Sequence, residues 1–435
     1  MTQALHKKVD KGADLVPVDP ARASLEVVEA GPPATLQPVP RITVHAFCIN
    51  PETGLAVQRA AEDRRLKRAS VLVEMGGIDA ACARYSDSPT PNLVLLEASS
   101  DPEDILRGLD RLAEQCDSGT RVIVIGSAND VRLYRDLMRR GVSEYLMTPV
   151  DPLQVIEAVS SLYVDPSAPP IGRSIVFVGA KGGVGASTVC HNAGYALASL
   201  VTEQVTIVDL DLAFGTASLD FNQDASHGLA DALTAPDRLD PVMLDRLLVE
   251  CSSNLNLLVA PSALGRDYDL PPDSYEMVLD VVRRSVPYML VDLPHLWSSW
   301  AKQMLLSAEE VVVVAMPDLA CLRNTKNLFE EIMKARPNDR PPHLVLNQVG
   351  MPKRPEIAVK DFAEALGQGP LVELAFDPQL FGTAANNGQM ITELNGKAAP
   401  VAGFDIIARR LLGRELPAAS TKAGLLSFLM GKKAR

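Results

Sequence analysis

Two stretches of the chain alternate short apolar runs with helix-like segments, a pattern typical of parallel sheets covered on both faces by helices. In the first stretch, residues 41–163, helix-like segments such as Pro102–Gln115 and Asp130–Arg140 separate the apolar runs. The predicted strands are Ile42–Phe47, Ser70–Glu74, Asn92–Leu96, Arg121–Ile125 and Tyr145–Met147. This stretch is expected to form a doubly wound α/β domain.

The second stretch, residues 173–412, repeats the alternation over a longer segment. Its predicted strands are Ser174–Val178, Val205–Asp209, Leu255–Ala260, Tyr288–Asp292, Val311–Met316 and His343–Asn347. The sequence therefore predicts a second α/β domain, also built on a doubly wound parallel sheet.

Three segments lie outside these alternations. Residues 1–40 contain six prolines and no Phe, Trp or Tyr, so this segment is expected to be a flexible arm that lacks the apolar surface needed for order. Residues 164–172, VDPSAPPIG, are rich in proline and are interpreted as a linker. Residues 413–435 form a tail that ends in basic residues.

Composition narrows the classes of function. The 435 residues carry a formal net charge of −12, which counts against DNA as the main partner, since DNA binding depends on Lys and Arg. The six cysteines are scattered without a C-x-x-C pair, as expected for buried side chains in a reducing compartment. Without an apolar segment near Met1 or a run of about 18 apolar residues, the chain is expected to be cytoplasmic.

A glycine-rich loop carries the main chemical signal. The loop Gly179–Ser187, GAKGGVGAS, follows an apolar run and precedes the helix-like stretch Ser187–Leu200. This setting and spacing are those of a phosphate-binding loop, G-x-x-x-x-G-K-[ST]. One position departs from the motif, because Ala186 stands where the lysine is expected and another lysine, Lys181, lies near the start of the loop.

Phosphate binding requires backbone N–H groups that converge on oxygen, and glycine allows the chain to curl closely enough. The loop supplies these glycines at Gly179, Gly182, Gly183 and Gly185. The following helix directs its positive end at the anion. Ser187 is placed to ligate Mg²⁺ and Thr188 to reach a neighbouring phosphate. A tight turn without a ligand is the alternative, and the specificity of the motif argues against it.

Acidic residues end two of the predicted strands. Asp209 ends one strand, with Asp211 two residues later, and Asp292 ends another. Carboxylates at the carboxyl ends of parallel strands face the crevice where ligands bind. One could hold the magnesium through water and another orient an attacking water, although either alone is as consistent with a helix cap or a turn.

These residues together resemble those of a known class of proteins. The run from Lys181 to Gly185 is similar to the deviant phosphate loop of the ParA/MinD class of P-loop ATPases, and the similarity extends over residues 173–412. Further matching segments are Asp209-Leu-Asp211, Asp292-Leu-Pro294, Pro317-Asp318 and Asn347. Within that class, Ala180–Thr188 and Asp209–Asp220 resemble the CpaE/TadZ family of pilus-assembly proteins.

The resemblance implies a homodimer that encloses two ATP molecules. Lys181 would reach the partner's nucleotide, Asp209 or Asp211 would position the hydrolytic water, and these three are the implied catalytic residues. Ser187 and Asp292 would serve the magnesium ion, and Asn347 would contact adenine. The implied ATP-binding residues are Gly179, Lys181, Gly182, Gly183, Val184, Gly185, Ala186, Ser187, Thr188, Pro317 and Asn347.

Most of the wider class carries a second lysine at the position of Ala186. A charge-assisted contact contributes about 1.5–3 kcal/mol, so its loss is expected to weaken ATP binding by a monomer. Lys181 from a partner would restore a positive charge only in the dimer. We therefore hypothesise that ATP binding is coupled to dimer formation and that hydrolysis is slow.

Through the segments Asn92–Glu97, Val122–Gly126 and Gly141–Pro149, residues 41–163 resemble a response-regulator receiver domain, but the active residues are replaced. Glu97 occupies the phosphoacceptor position, Gly126 that of a Thr or Ser, and Thr148 that of the lysine. Without the lysine and an acidic pair for magnesium, phosphotransfer is not expected. We interpret Glu97 as structural, with a mimic of a permanent charge as the alternative. The domain is interpreted as a docking module for targeting or dimerisation.

The resemblance implies a cytoplasmic protein that localises or assembles a Flp/Tad-type pilus apparatus, with pilus-assembly or secretion proteins as partners. Its ATP hydrolysis would be weak and Mg²⁺-dependent. The alternatives are a DNA-partitioning ATPase and a nucleotide-binding scaffold without hydrolysis.

The tail segment Gly424–Arg435 is similar in style to the membrane-targeting tail of MinD. It could bind the inner membrane or place the chain at a cell pole; a frayed or self-packed tail is the alternative. His191 has no metal partner nearby in sequence.

Overall fold

The computed structural model describes residues 39–98, 100–163, 171–224, 227–261 and 270–414. These residues form two α/β sheets, as the alternating pattern predicts. Most of the predicted arm 1–40, most of the predicted linker 164–172 and nearly all of the tail 413–435 lie outside the described residues.

The first sheet contains five parallel strands in the order β2-β1-β3-β4-β5. Its elements in chain order are β1 (Thr43–Cys48), α1 (Pro51–Ala61), β2 (Ser70–Met75), α2 (Gly77–Tyr85), β3 (Leu93–Glu97), α3 (Pro102–Ala113), β4 (Arg121–Gly126), α4 (Val131–Arg139), β5 (Glu144–Met147) and α5 (Pro152–Tyr163). Every residue of β3 is buried, because helices cover both faces of the sheet. Leu93 and Leu95 pack into one core and Val94 and Leu96 into the other.

The second sheet contains eight strands in the order β13-β12-β11-β6-β10-β7-β9-β8. Its first half comprises β6 (Arg173–Gly179), α6 (Ala186–Leu200), β7 (Val205–Asp209), α7 (Ala217–Asp220), α8 (Leu229–Thr234), a 3₁₀ turn (Pro236–Arg238), α9 (Pro241–Leu247), β8 (Val249–Ser252) and β9 (Leu255–Leu258). Its second half comprises α10 (Pro272–Ser285), β10 (Tyr288–Leu293), α11 (Ser299–Ser307), β11 (Glu310–Ala315), α12 (Leu319–Ala335), β12 (His343–Val349), α13 (Val359–Leu366), β13 (Val372–Ala375), α14 (Pro378–Asn387), α15 (Ile391–Leu394) and α16 (Ala399–Leu411).

Two edge strands of this sheet were not predicted. Strand β8 is short and only partly buried, and it pairs antiparallel to β9. Strand β13 alternates buried and exposed positions at the opposite edge. Neither has the continuous apolar run that marks a central parallel strand, because an edge strand packs against fewer neighbours.

A buried group of charges joins the loop after α1 to the loop after α12. We call Asp63, Arg64, Arg65, Arg336 and Asp339 the buried charge cluster. Asp339 accepts hydrogen bonds from Arg64 Nε at 2.9 Å, from Arg336 Nε at 2.8 Å and from Arg65. The Arg65 guanidinium also binds both carboxylate oxygens of Asp63, at 3.2 and 3.1 Å. The first sheet's domain is therefore tied to the second by paired, buried ions.

Candidate functional site

The glycine-rich loop connects β6 to α6 at the carboxyl edge of the second sheet. Gly183 and Gly185 have φ angles of 78° and 82°, which lie in the left-handed region that favours glycine. Gly185 also forms the N-terminal cap of α6, so the loop directs the amino end of this helix into the crevice. The predicted strand–loop–helix arrangement is present at the predicted residues.

Several contacts fix the backbone of the glycine-rich loop. Val184 is buried, and its carbonyl accepts a hydrogen bond from Asn347 Nδ2 at 2.8 Å. A methyl group at Gly185 would lie 2.6 Å from the same Nδ2 atom, so only glycine fits there. Asn347, which the resemblance assigns to adenine, thus also supports the loop. Its neighbour Gln348 donates to the Gly183 carbonyl at 3.1 Å.

The residues at the start of α6 keep the predicted positions. Ala186 begins the helix, and Ser187 and Thr188 follow in its first turn, all three half-buried. Gly182 stands exposed at the top of the loop, where a methyl group would meet no heavy atom within 4 Å among the described residues. Pro317 is buried at the end of β11, where its carbonyl accepts the Ile357 N–H at 2.9 Å.

Lys181 is ion-paired within its own chain. Its Nζ atom lies 2.6 Å from Asp318 Oδ2, and the pair is partly exposed. The Asp318 carboxylate raises the pKa of Lys181, against a smaller effect of burial, so the side chain is cationic at neutral pH. Asp318 also caps α12, because its Oδ1 accepts the Cys321 N–H at 2.8 Å.

The two acidic strand ends lie side by side. Asp209 of β7 and Asp292 of β10 are paired neighbours across the parallel sheet, and both are almost completely buried. Burial and the charge of Asp292 raise the pKa of Asp209 to about 7. The Asp209 carboxylate accepts the N–H groups of Asp211 and Ala217, each at 3.1 Å, and therefore orders the segment that follows β7.

Asp211 is half-buried at the entrance to that segment, and its Oδ1 atom accepts the Phe214 N–H at 3.0 Å. The structure thus gives Asp209 and Asp211 backbone contacts in addition to the roles implied by the resemblance. Which of them positions a water molecule stays a prediction.

A buried histidine near the loop was not assigned a role from the sequence. His191 lies on α6 with its side chain fully buried between two carboxylates, Asp220 on Nδ1 at 2.7 Å and Asp292 on Nε2 at 3.5 Å. Burial opposes a charge on this ring, but the two carboxylates outweigh it and raise the pKa of His191 to about 10. The partners lie 29 and 101 positions away in the sequence, so no local spacing signals this contact.

The predicted magnesium ligands suit an ion that takes most of its ligands from phosphate and water. Among the described residues, no group of three or more His, Cys, Asp or Glu side chains is arranged to hold a metal ion by itself. Mg²⁺ in nucleotide sites needs only one or two protein ligands. A half-buried hydroxyl at Ser187 and a buried carboxylate at Asp292 fit that requirement.

A cavity of about 550 Å³ lies behind the start of the loop. Its lining includes Gly179, His295, Trp297 and Asn324, but not the glycines at the top of the loop. His295 Nδ1 donates to the Gly179 carbonyl at 2.9 Å, and Asn324 Nδ2 donates to the Ala180 carbonyl at 2.8 Å. The cavity is therefore a neighbour of the phosphate loop and is separate from its anion-facing side.

The Glu97 carboxylate, at the end of β3 in the first sheet, forms several hydrogen bonds with neighbouring residues. Glu97 is buried and accepts hydrogen bonds from the N–H groups of Ile49 and Asn50, the Asn50 side chain and the Thr53 hydroxyl, at 2.6–2.8 Å. Burial works against its charge, but these four bonds lower the pKa of Glu97. At Gly126, a methyl group would lie 2.6 Å from the Tyr145 hydroxyl oxygen. These contacts give Glu97 a structural role in its own domain.

Among the described residues, no helix combines the length and the apolar character that crossing a membrane requires. The predicted membrane-binding tail segment Gly424–Arg435 lies outside the described residues.

Comparisons with known proteins show what the chain is similar to. Residues 173–331 match the family model of the cellulose biosynthesis protein BcsQ. The septum site-determining protein MinD of Synechocystis is 28% identical over 257 residues, covering 57% of this chain and 92% of MinD.

Two solved structures extend the comparison. The pilus assembly protein CpaE of Caulobacter crescentus is 53% identical over 30% of this chain and 98% of the solved chain, with a TM-score of 0.29. The relation between CpaE and this chain rests on sequence identity. A ParA family ATPase of Chlorobium tepidum is 23% identical over 54% of this chain and 98% of its own, with a TM-score of 0.50, and supports the fold alone.

Proposed function

Because this chain belongs to the CpaE-type ParA/MinD-like proteins, we propose that it is an ATP-binding switch that dimerises with nucleotide and serves a pilus apparatus. The observation that carries the proposal is the alignment of two buried aspartates, Asp209 and Asp292, at adjacent strand ends beside the phosphate loop. A loop alone binds an anion, whereas this combination also provides for a cation and a water molecule.

The proposed location and partners follow from the same family membership. The chain would act from the cytoplasm, at the inner membrane or a cell pole, and would localise or assemble a Flp/Tad-type pilus with its secretion proteins. ATP binding would favour the dimer, and slow hydrolysis would return the monomer. The protein would therefore act through binding and release rather than through the product of hydrolysis.

When bound, Mg²⁺ would neutralise phosphate charge, and Ser187 and Asp292 are the residues that would hold it. The loop N–H groups and the amino end of α6 orient the phosphates. Asp209 and Asp211 fix the segment after β7 beside them through backbone hydrogen bonds. Hydrolysis is expected to be weak because Ala186 supplies no cation to the chain's own nucleotide.

The first prediction concerns assembly. We expect the full chain to change from monomer to dimer when Mg·ATP is added, but not with Mg·ADP, because only the triphosphate offers the γ-phosphate that a partner's Lys181 would reach. Size-exclusion chromatography with light scattering measures this. Lys181→Ala is the control and is expected to stay monomeric. A wild-type chain that binds ATP yet remains monomeric at high concentration would contradict the proposed switch.

A scaffold that binds ATP without hydrolysis is a second candidate, favoured by the occupied carboxylates of Asp209 and Asp211. Phosphate release measured for the wild type against Asp211→Ala separates the two. Slow release that disappears in the variant supports the ATPase, and equal release in both supports the scaffold.

The second prediction concerns Lys181, which must leave Asp318 before it can reach another subunit. We expect Asp318→Asn to dimerise at about two- to fivefold lower ATP concentration, because a partly exposed pair contributes about 0–1 kcal/mol. Asparagine still caps α12, so the helix is preserved. Titration of the dimer fraction with ATP measures the effect, and Asp361→Asn on the exposed surface of α13 serves as a charge-matched control. An unchanged midpoint would mean that the pair does not restrain Lys181.

A further inference from the structure

His191 contacts three parts of the ATP-binding crevice at once. It lies on α6, one turn beyond Ser187, and none of its side chain is exposed. Asp220 on one side belongs to α7, in the segment that follows β7. Asp292 on the other side belongs to the end of β10. The ring thus bridges two segments that lie apart in the sequence.

The two nitrogen atoms of the His191 ring lie at different distances from their carboxylate partners. Nδ1 makes a short hydrogen bond with Asp220 Oδ2, at 2.7 Å, and the Thr216 hydroxyl donates to the same oxygen at 3.3 Å. Nε2 lies 3.5 Å from Asp292 Oδ2, which is an ion-pair distance, and no hydrogen-bond partner reaches it among the described residues. A buried polar nitrogen without a full hydrogen bond is costly to the fold, so this end of the bridge is the weaker one.

The segment held by Asp220 carries large apolar side chains on the surface. Phe214 is 74% exposed and Leu219 is 67% exposed. Asp209 fixes the same segment through the Ala217 N–H. The position of Phe214 and Leu219 therefore depends on contacts that originate beside the phosphate loop.

We propose that His191 is a positioning residue that transmits the nucleotide state of the loop to residues 211–221, by holding α7 and the Asp292 side chain in one rigid, buried bridge. The proposal rests on the proposed ATP-binding function and deepens it. The imidazole is flat and enclosed, so a shift of α6 changes its contacts with Asp220 and Asp292 together. Binding at the loop thereby controls how Phe214 and Leu219 are presented.

A purely structural histidine would stabilise the chain without transmitting anything, so the test must measure the response of the segment to ATP. We would record hydrogen exchange of residues 211–221 in the full chain with and without Mg·ATP, and in parallel the affinity for a fluorescent ATP analogue. In the wild type, ATP is expected to slow exchange in this segment.

In His191→Gln the side chain keeps a donor for one carboxylate but cannot span both. The ATP-induced slowing of exchange is expected to fall by about fivefold or more, the lower end of typical coupling between sites, while analogue affinity changes by less than about threefold. His343→Gln is the matched control, because His343 also pairs with a carboxylate, Glu310 at 3.0 Å, but at the start of β12. It is expected to behave as the wild type.

Asp220→Asn tests the same bridge from its less buried end and replaces His191→Gln if that variant does not fold. Retained ATP-induced slowing in both folded variants would overturn the inference while leaving the proposed function intact. ATP binding by the wild type without any effect on residues 211–221 would overturn it as well. A wild type that binds no ATP would overturn the proposed function and the inference together.

Discussion

Asp339→Ala is expected to lower the free energy of unfolding by about 3–5 kcal/mol, because it removes one member of a buried ion network and leaves its partners uncompensated. Three guanidinium groups, from Arg64, Arg65 and Arg336, converge on this carboxylate. Only 7% of the Asp339 side chain is exposed, so water cannot replace the lost contacts. Urea unfolding of the full chain measures the change.

Arg68→Ala provides a matched control in the same region. Arg68 pairs with Asp280 at 3.3 Å, but 48% of its side chain is exposed, so its loss is expected to cost about 0–1 kcal/mol. If Asp339→Ala and Arg68→Ala have equal effects, burial does not govern the strength of these contacts and the role given to the buried charge cluster is wrong.

The same carboxylate predicts a dependence on pH. Burial raises the pKa of Asp339, but the neighbouring arginines outweigh this and lower it from 3.8 to about 2. A depressed pKa stabilises the fold above the unfolded value, and this contribution, roughly 2 kcal/mol, is lost as the pH falls from about 4 toward 2. The pH dependence of unfolding between these values should be weaker in Asp339→Asn than in the wild type.

These contacts bear on the proposed docking role of residues 41–163. A module on a free linker would move independently, whereas the buried charge cluster ties the loop after α1 to the loop after α12. A partner that binds the first sheet would therefore act on a domain already fixed to the domain of the second sheet. Asp63 and Asn338 add a further hydrogen bond of 3.0 Å between the same two loops.

The sequence predicted the elements whose signal is local. The apolar runs located the central strands to within two residues, and strand Val205–Asp209 has the predicted bounds. The edge strands Val249–Ser252 and Val372–Ala375 were missed, because partly exposed edges lack a continuous apolar run.

The site was predictable where a motif stands in one strand–loop–helix unit, and less so where the chain brings distant residues together. The glycines of the phosphate loop and the acidic strand ends follow from patterns of nine residues or fewer. The pairing of His191 with Asp220 and Asp292 depends on the sheet order that sets β10 beside β7. The pairing of Lys181 with Asp318 likewise depends on β11 lying next to β6.

Ala186→Lys is expected to raise the affinity of the monomer for ATP by about 10- to 150-fold, because a charge-assisted contact to phosphate contributes about 1.5–3 kcal/mol. Ala186 is the first residue of α6 and half-buried beside the loop, so a long cationic side chain starts next to the anion-facing N–H groups. Titration with a fluorescent ATP analogue, at protein concentrations that keep the chain monomeric, measures the change.

Two comparisons make this result specific. Ala186→Gln adds a side chain of similar reach without charge, so an equal gain there would trace the effect to contact area. Repeating the titration under dimeric conditions tests the coupling, because Lys181 of a neighbouring copy is proposed to supply the missing cation and the gain from Ala186→Lys should then shrink. In the absence of nucleotide the new cation opposes the dipole of α6 and should destabilise the fold by about 0.3–1 kcal/mol. Equal ATP affinities of wild type and variant in both states would show that the alanine does not couple binding to dimerisation.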